Sequence, residues 1–133
     1  MASATQAFFD TYAASLDAGD AEAVAKAYFV PTVVMNDEAK RVHTQREDII
    51  AYITEMKEQL RSTGATNSRA EVCQTMRLSE NIMFSNVKWT FKNDAGEKVF
   101  SCFISYTLQL ESESLKIIVS VIDDEERELA KHL

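Results

Sequence analysis

Hydrophobic and polar residues follow helical spacing over the first half of the chain and a period of two over the second. The clearest stretch is Ile82 to Leu110. Ile82-Met83-Phe84-Ser85-Asn86-Val87-Lys88-Trp89-Thr90-Phe91 reads as a strand, Asn93-Asp94-Ala95-Gly96 as a turn, and Val99 to Leu110 as the return strand. Successive strand side chains alternate between faces, so Phe100, Cys102, Ile104, Tyr106, Leu108 and Leu110 share one face. Val99, Ser101, Phe103, Ser105, Thr107 and Gln109 share the other. The first face is apolar throughout and requires a cover of helices. The second is too polar for a core and, around Phe103, too apolar to be left to water.

Upstream, Ser3-Ala4-Thr5-Gln6 has the spacing of a capping box and predicts a helix start. Phe8, Tyr12 and Leu16 follow on one helical face, with Phe9 and Ala13 beside them. Gly19 supplies a left-handed stop and Asp20 a cap for a second helix. That helix is expected to carry Val24, Ala27 and Tyr28 inward and to end before Pro31. Thr32-Val33-Val34-Met35, a polar turn over Asn36 to Lys40, and Arg41-Val42-His43 form a small hairpin. Thr44-Gln45-Arg46-Glu47 is a second capping box, opening a helix with Ile49, Ile53, Met56 and Leu60 on its buried stripe and a stop near Gly64.

From Asn67 the period is two again, with Val72, Met76 and Leu78 on one face and Glu71, Thr75 and Arg77 on the other. Ser79-Glu80-Asn81 turns into the long hairpin, and Ser112-Glu113-Ser114 leads to a last strand over Leu115 to Ile122. The acids from Asp123 to Glu126, with Lys131 and His132 at the far end, suit the dipole of a C-terminal helix. The order is three N-terminal helices around a short hairpin, then four long antiparallel strands. This is an α+β layout, a sheet with its helices gathered on one face, in one domain over residues 1–133.

Composition narrows the function. The 133 residues suffice for one core without a metal or disulfide. Seven excess acids (21 Asp+Glu against 14 Lys+Arg) disfavour nucleic acid and anionic membrane surfaces as partners. There is no membrane-length apolar run and no basic start followed by an apolar segment, so a cytoplasmic location is expected. Cys73 and Cys102 fall on strands separated by a third, roughly 9 to 10 Å apart at ordinary strand spacing. A bridge requires less than about 7 Å, so both are read as reduced structural thiols. The histidines and cysteines give no metal-ligand cluster, and the 3 glycines give no phosphate loop; no cofactor is expected.

The segment Phe8-Phe9-Asp10-Thr11-Tyr12-Ala13-Ala14-Ser15-Leu16-Asp17-Ala18-Gly19-Asp20 resembles the opening of the nuclear transport factor 2-like superfamily, which includes ketosteroid isomerases and SnoaL-like polyketide cyclases. The likeness continues through Val24 to Tyr28, Val33-Val34-Met35, Glu47-Asp48-Ile49-Ile50, and the order of elements to the end. It implies a cone-shaped fold, with a curved antiparallel sheet wrapped around the helices and a hydrophobic pocket at the open end. It also implies a homodimer formed through the outer sheet face. The sequence pattern agrees: Phe103, Ile118 and Ile122 are expected on that face and suggest a twofold partner, with the chain's own C-terminal helix as the competing cover.

The resemblance places Tyr12 where ketosteroid isomerases carry a hydrogen-bonding tyrosine. At the position of the proton-moving base stands Asn36, whose amide lacks useful basicity, with Asp37 beside it. No Asp or Glu lies between Lys98 and Gln109, so the oxyanion-binding acid is missing whichever of Ile104, Ser105 or Tyr106 matches it. His43, with a pKa suited to neutral pH, is a second candidate base or a surface cap histidine. Tyr28, Trp89, Ile104 and Tyr106, with Asn36, are candidates for the ligand-binding wall, or else core packing.

Two functions follow. One is a cofactor-free domain binding a small hydrophobic ligand, with proton transfer (isomerisation, cyclisation or dehydration) through Tyr12 and either His43 or Asp37. The other is a non-catalytic dimerisation or assembly module. A pocket of roughly 300 Å³ or more with Tyr12 and His43 facing it favours the first, and a closed cavity the second.

Overall fold

The computed structural model describes residues 2–123. The expected C-terminal helix, with Lys131 and His132, lies outside the described residues. Three helices, α1 (Ala2–Asp17), α2 (Ala21–Ala25) and α3 (Arg46–Ser62), cover one face of a curved, unclosed six-stranded sheet. The strands are β1 (Tyr28–Met35), β2 (Lys40–His43), β3 (Asn67–Arg77), β4 (Ile82–Lys92), β5 (Lys98–Glu111) and β6 (Ser114–Asp123). They lie in the order β2-β1-β6-β5-β4-β3. The sheet, expected to be antiparallel throughout, is mixed, because β6 returns beside β1 in parallel register.

The long hairpin forms as the pattern implies. Along β4, Met83, Ser85, Val87, Trp89 and Phe91 are buried and their neighbours half-buried. On β5, Phe100, Cys102, Tyr106 and Leu108 are buried beneath the helices. Against them pack Phe9, Tyr12 and Leu16 of α1, Val24 of α2, and Ile49, Ile53 and Leu60 of α3. Their apolar surface, removed from water at about 25 cal/mol per Å², is the main term holding helices to sheet.

Four local expectations need correction. Helix α1 already includes Ala2, so position 3 lies inside it and not at its N-cap. Helix α2 is a single turn: Asp20 caps it, accepting from Ala23 N at 3.1 Å, but Tyr28 opens β1. Pro31 sits within that strand, where the β1–β6 register breaks between Tyr28 and Val33 and no ladder bond is asked of its nitrogen. At α3 the cap residue is Gln45, extended at φ −134° and ψ 151° and without a side-chain bond, so the Thr44 box does not form. Glu47 and Asp48 in the first turn favour the positive helix end instead.

The fourth correction concerns β-bulges, which reverse side-chain parity. In β3 the register jumps between Val72, opposite Val87, and Gln74, opposite Asn86. Thr75 and Arg77 thereby join the inner face. Met76 lies opposite Phe84 on the outer face, and it and Leu78 are exposed. In β6 the shift falls at Ile118. Ile122 therefore pairs with Ile104 on the inner side, and the outer apolar set is Phe103, Val119 and Val121 in place of Phe103, Ile118 and Ile122.

Helix α1 also closes part of the β3 edge. Asp17 Oδ2 accepts from Ser68 N at 3.0 Å. The Gln6 carboxamide accepts from Val72 N and donates to Ala70 O, both at 2.9 Å, as a neighbouring strand would.

Candidate functional site

The inner sheet face carries a polar row across a largely apolar surface. Arg41 stands opposite Val34, Val34 beside Ser120, Ser120 opposite Tyr106, Tyr106 opposite Ser85, and Ser85 opposite Thr75. Thr75 and Ser85 hydroxyls share a 3.1 Å hydrogen bond, and Trp89 Nε1 donates to Tyr106 Oη at 2.9 Å. Ser120 Oγ is buried without a partner.

The helices bring further phenols to this row. Tyr12 of α1 and Tyr28 of β1 share a 2.6 Å hydrogen bond between their hydroxyls. The Tyr12 ring lies 5.5 Å from Trp89, and Phe9 lies 4.7 Å from Tyr106. Burial pushes the Tyr12 hydroxyl up to about 12, although its bond to Tyr28 works the other way. Burial and the neighbouring phenols of Tyr12, Tyr52 and Tyr106 hold Tyr28 well above the ordinary value of 10. Tyr106 is raised too, by burial and then by Tyr12, against the opposing bond from Trp89. These three are neutral hydrogen-bonding groups near pH 7, not bases.

A cleft of about 260 Å³ opens between α3, the β1–β2 turn and the inner sheet face. Val34, Leu60, Phe91, Cys102, Ile104 and Ile122 form its apolar floor; Asn36, Arg41, Tyr52, Glu55 and Gln59 bring polar groups to it. Phe91, in the cleft floor, stacks on Trp89 at 6.1 Å, and Trp89 in turn packs against the Tyr12 ring.

The candidates named from sequence therefore fall into three groups. Tyr12, Tyr28, Trp89 and Tyr106 come together in the buried centre. Asn36 and Ile104 line the cleft, with Ile104 and Tyr106 inward and Ser105 outward, where it accepts from Asn86 Nδ2 at 3.0 Å. Asn36 Oδ1 is already engaged, accepting from Glu38 N and Ala39 N at 2.9 and 2.8 Å to close the turn. Asp37 is exposed on that turn. His43 is half-buried beside Tyr52, ring centres 5.5 Å apart, and its Nε2 is buried without a partner. Neither Tyr12 nor His43 lines the cleft.

Sequence reading passed over Tyr52, Arg41, Gln59 and Ser120. Tyr52 was within reach, since it lies three residues from Ile49 and four from Met56 on the buried stripe of α3. The two cysteines are free, Cys73 exposed and Cys102 buried. Among the described residues no cluster of His, Cys, Asp or Glu is placed to hold a metal, and no helix is long and apolar enough to cross a membrane.

Three helices against one face of a curved mixed sheet, with an apolar cleft at one end, define an NTF2-like, cystatin-like domain. A domain of that cystatin-like fold from Nostoc punctiforme, of unknown function, superposes with a TM-score of 0.71 at 15% identity, covering 90% of this chain and 74% of that one. A ketosteroid isomerase-like protein from Erwinia carotovora atroseptica gives 0.62 at 16% identity over 87% and 89%. A Xanthomonas campestris protein named for a calcium/calmodulin-dependent protein kinase II association domain gives 0.63 at 19% over 90% and 85%. No curated protein matches the sequence. Within this class, the chain belongs to the NTF2-like protein family DUF6841, which matches residues 3–125.

Proposed function

We propose that this chain is a small-molecule-binding domain whose hydrophobic ligand occupies the cleft between α3 and the inner sheet face. The observation that carries this reading is the cleft itself: about 260 Å³, apolar at the floor and polar around it. That composition is typical of ligand sites, though the volume is slightly below their usual range of roughly 300–1,000 Å³. Residues 1–133 act as one domain, in the cytoplasm, with both thiols reduced.

Binding is favoured over ketosteroid isomerase-type catalysis. The inner face of β5 offers Phe100, Cys102, Ile104, Tyr106 and Leu108 and no acid. Proton transfer through Tyr12, with His43 or Asp37 as base, is disfavoured because neither Tyr12 nor His43 lines the cleft and the Tyr12 hydroxyl is already bonded to Tyr28. A thermal-shift screen of aromatic and polycyclic carbonyl and hydroxyl compounds tests the reading, run on the wild type and on Ile104→Trp, which fills the floor. A ligand at a hundred times its Kd adds about 2.7 kcal/mol and raises the wild-type Tm by several degrees, leaving the variant unmoved. Equal shifts in both, or none in either, refute the assignment.

Assembly is a second reading, supported by the outer sheet face, where Phe103 and Val121 are each 37% exposed. The likeness to a protein named for an association domain points the same way. The partner proposed is a second copy of this chain.

A further inference from the structure

We infer that the cleft selects amphipathic monocarboxylic acids, with Arg41 receiving the acid group. This deepens, and rests on, the small-molecule-binding reading.

Arg41 lies on β2 directly opposite Val34, so it stands over the apolar floor and not on the outer surface. In a chain with 21 acids and 14 Lys and Arg, it has no ion pair or hydrogen bond among the described residues. Arg61, by contrast, reaches Glu58 at 3.3 Å. The other polar walls are less suited to an anion. Asn36 gives its Oδ1 to the turn and keeps only uncharged amide donors, Tyr52 lies tilted against the His43 ring, and Glu55 repels negative charge. Gln59 offers amide N–H groups as a neutral supplement. A guanidinium presents a planar fork that pairs with a carboxylate through two parallel bonds. At the edge of an apolar floor that pairing is less screened than in open water.

Glu55 sets the charge limit. A single carboxylate satisfies Arg41 while keeping clear of Glu55, whereas a dianion must face it. The size follows from the volume. At about 260 Å³ the cleft lies below the usual range for drug-sized ligands. This space suits a compact apolar body carrying one acid, such as a medium-chain fatty acid or an aryl acid.

Calorimetric titration of the full chain near neutral pH with octanoate, octanol and octylamine, all below their micellar concentrations, tests the inference. Octanoate is expected to bind roughly three- to tenfold more tightly than octanol, and octylamine more weakly than either. Arg41→Gln should erase the advantage of octanoate while leaving octanol affinity and the ligand-free Tm unchanged, and Arg41→Lys should restore part of it. Added salt should weaken octanoate and spare octanol. Equal binding of octanoate and octanol, or preference for octylamine, overturns the acid selection while leaving the cleft as a ligand site. Binding that persists in Ile104→Trp places the ligand elsewhere and overturns both readings. If none of the three binds, the acid selection fails, and the carbonyl and hydroxyl screen alone decides whether the cleft holds a ligand.

Discussion

At the scale of single residues, the buried phenols dominate. Tyr12, Tyr28 and Tyr106 each resist ionisation because burial strips water from the phenolate. In the unfolded chain they lose protons near pH 10, while folded Tyr12 holds its proton to about 12. The folded state then binds more protons than the unfolded one, so stability falls as pH rises above 10. The slope is about 1.4 kcal/mol per pH unit for each such tyrosine, and below pH 10 they contribute no pH dependence. Denaturant midpoints measured from pH 9 to 11.5 should show this fall, with phenolate absorbance appearing only on unfolding for these three. Titration of more than one of the four tyrosines near pH 10 in the folded protein would contradict it. Tyr12 was legible through the family likeness. Ser120 and Arg41 were not, because their place in the polar row depends on cross-strand register, which no local pattern encodes.

At the scale of elements, α1 acts as a substitute strand. The Gln6 carboxamide bonds Val72 N and Ala70 O, so Gln6→Ala leaves both at a half-covered edge, at a cost of about 1–3 kcal/mol. Amide exchange at Val72 should quicken in the variant, with α1 helicity retained; unchanged protection would show that water replaces the side chain at no cost. The long hairpin and the α3 stripe were readable because each keeps one period from end to end. Strand β3 was not, since the extra residue between Val72 and Gln74 sends Met76 outward, and only the Cys73-Gln74 pair, out of step with the alternation, marks it in the sequence. Tyr28 was assigned to α2 because Val24, Ala27 and Tyr28 fit helical spacing. Pairing with Ile117 of β6, far away in sequence, claims it for a strand.

At the scale of the whole molecule, the sheet has one face under helices and the other carrying Phe103, Val119 and Val121 among polar neighbours such as Lys88 and Ser105. The proposed assembly buries that apolar group against a second copy. Wild type should then sediment as a dimer, and Phe103→Asp, whose site is exposed in the single chain, as a folded monomer. A wild-type monomer at high micromolar concentration removes the interface.

The parallel seam between β1 and β6 has a consequence for how the chain is made. Strand β1 meets β2 on one side and only β6 on the other. A nascent chain that has emerged only as far as Glu111 has no strand on which to seat the β1–β2 ribbon. Seating that ribbon is a non-local step that waits for residues 114–123.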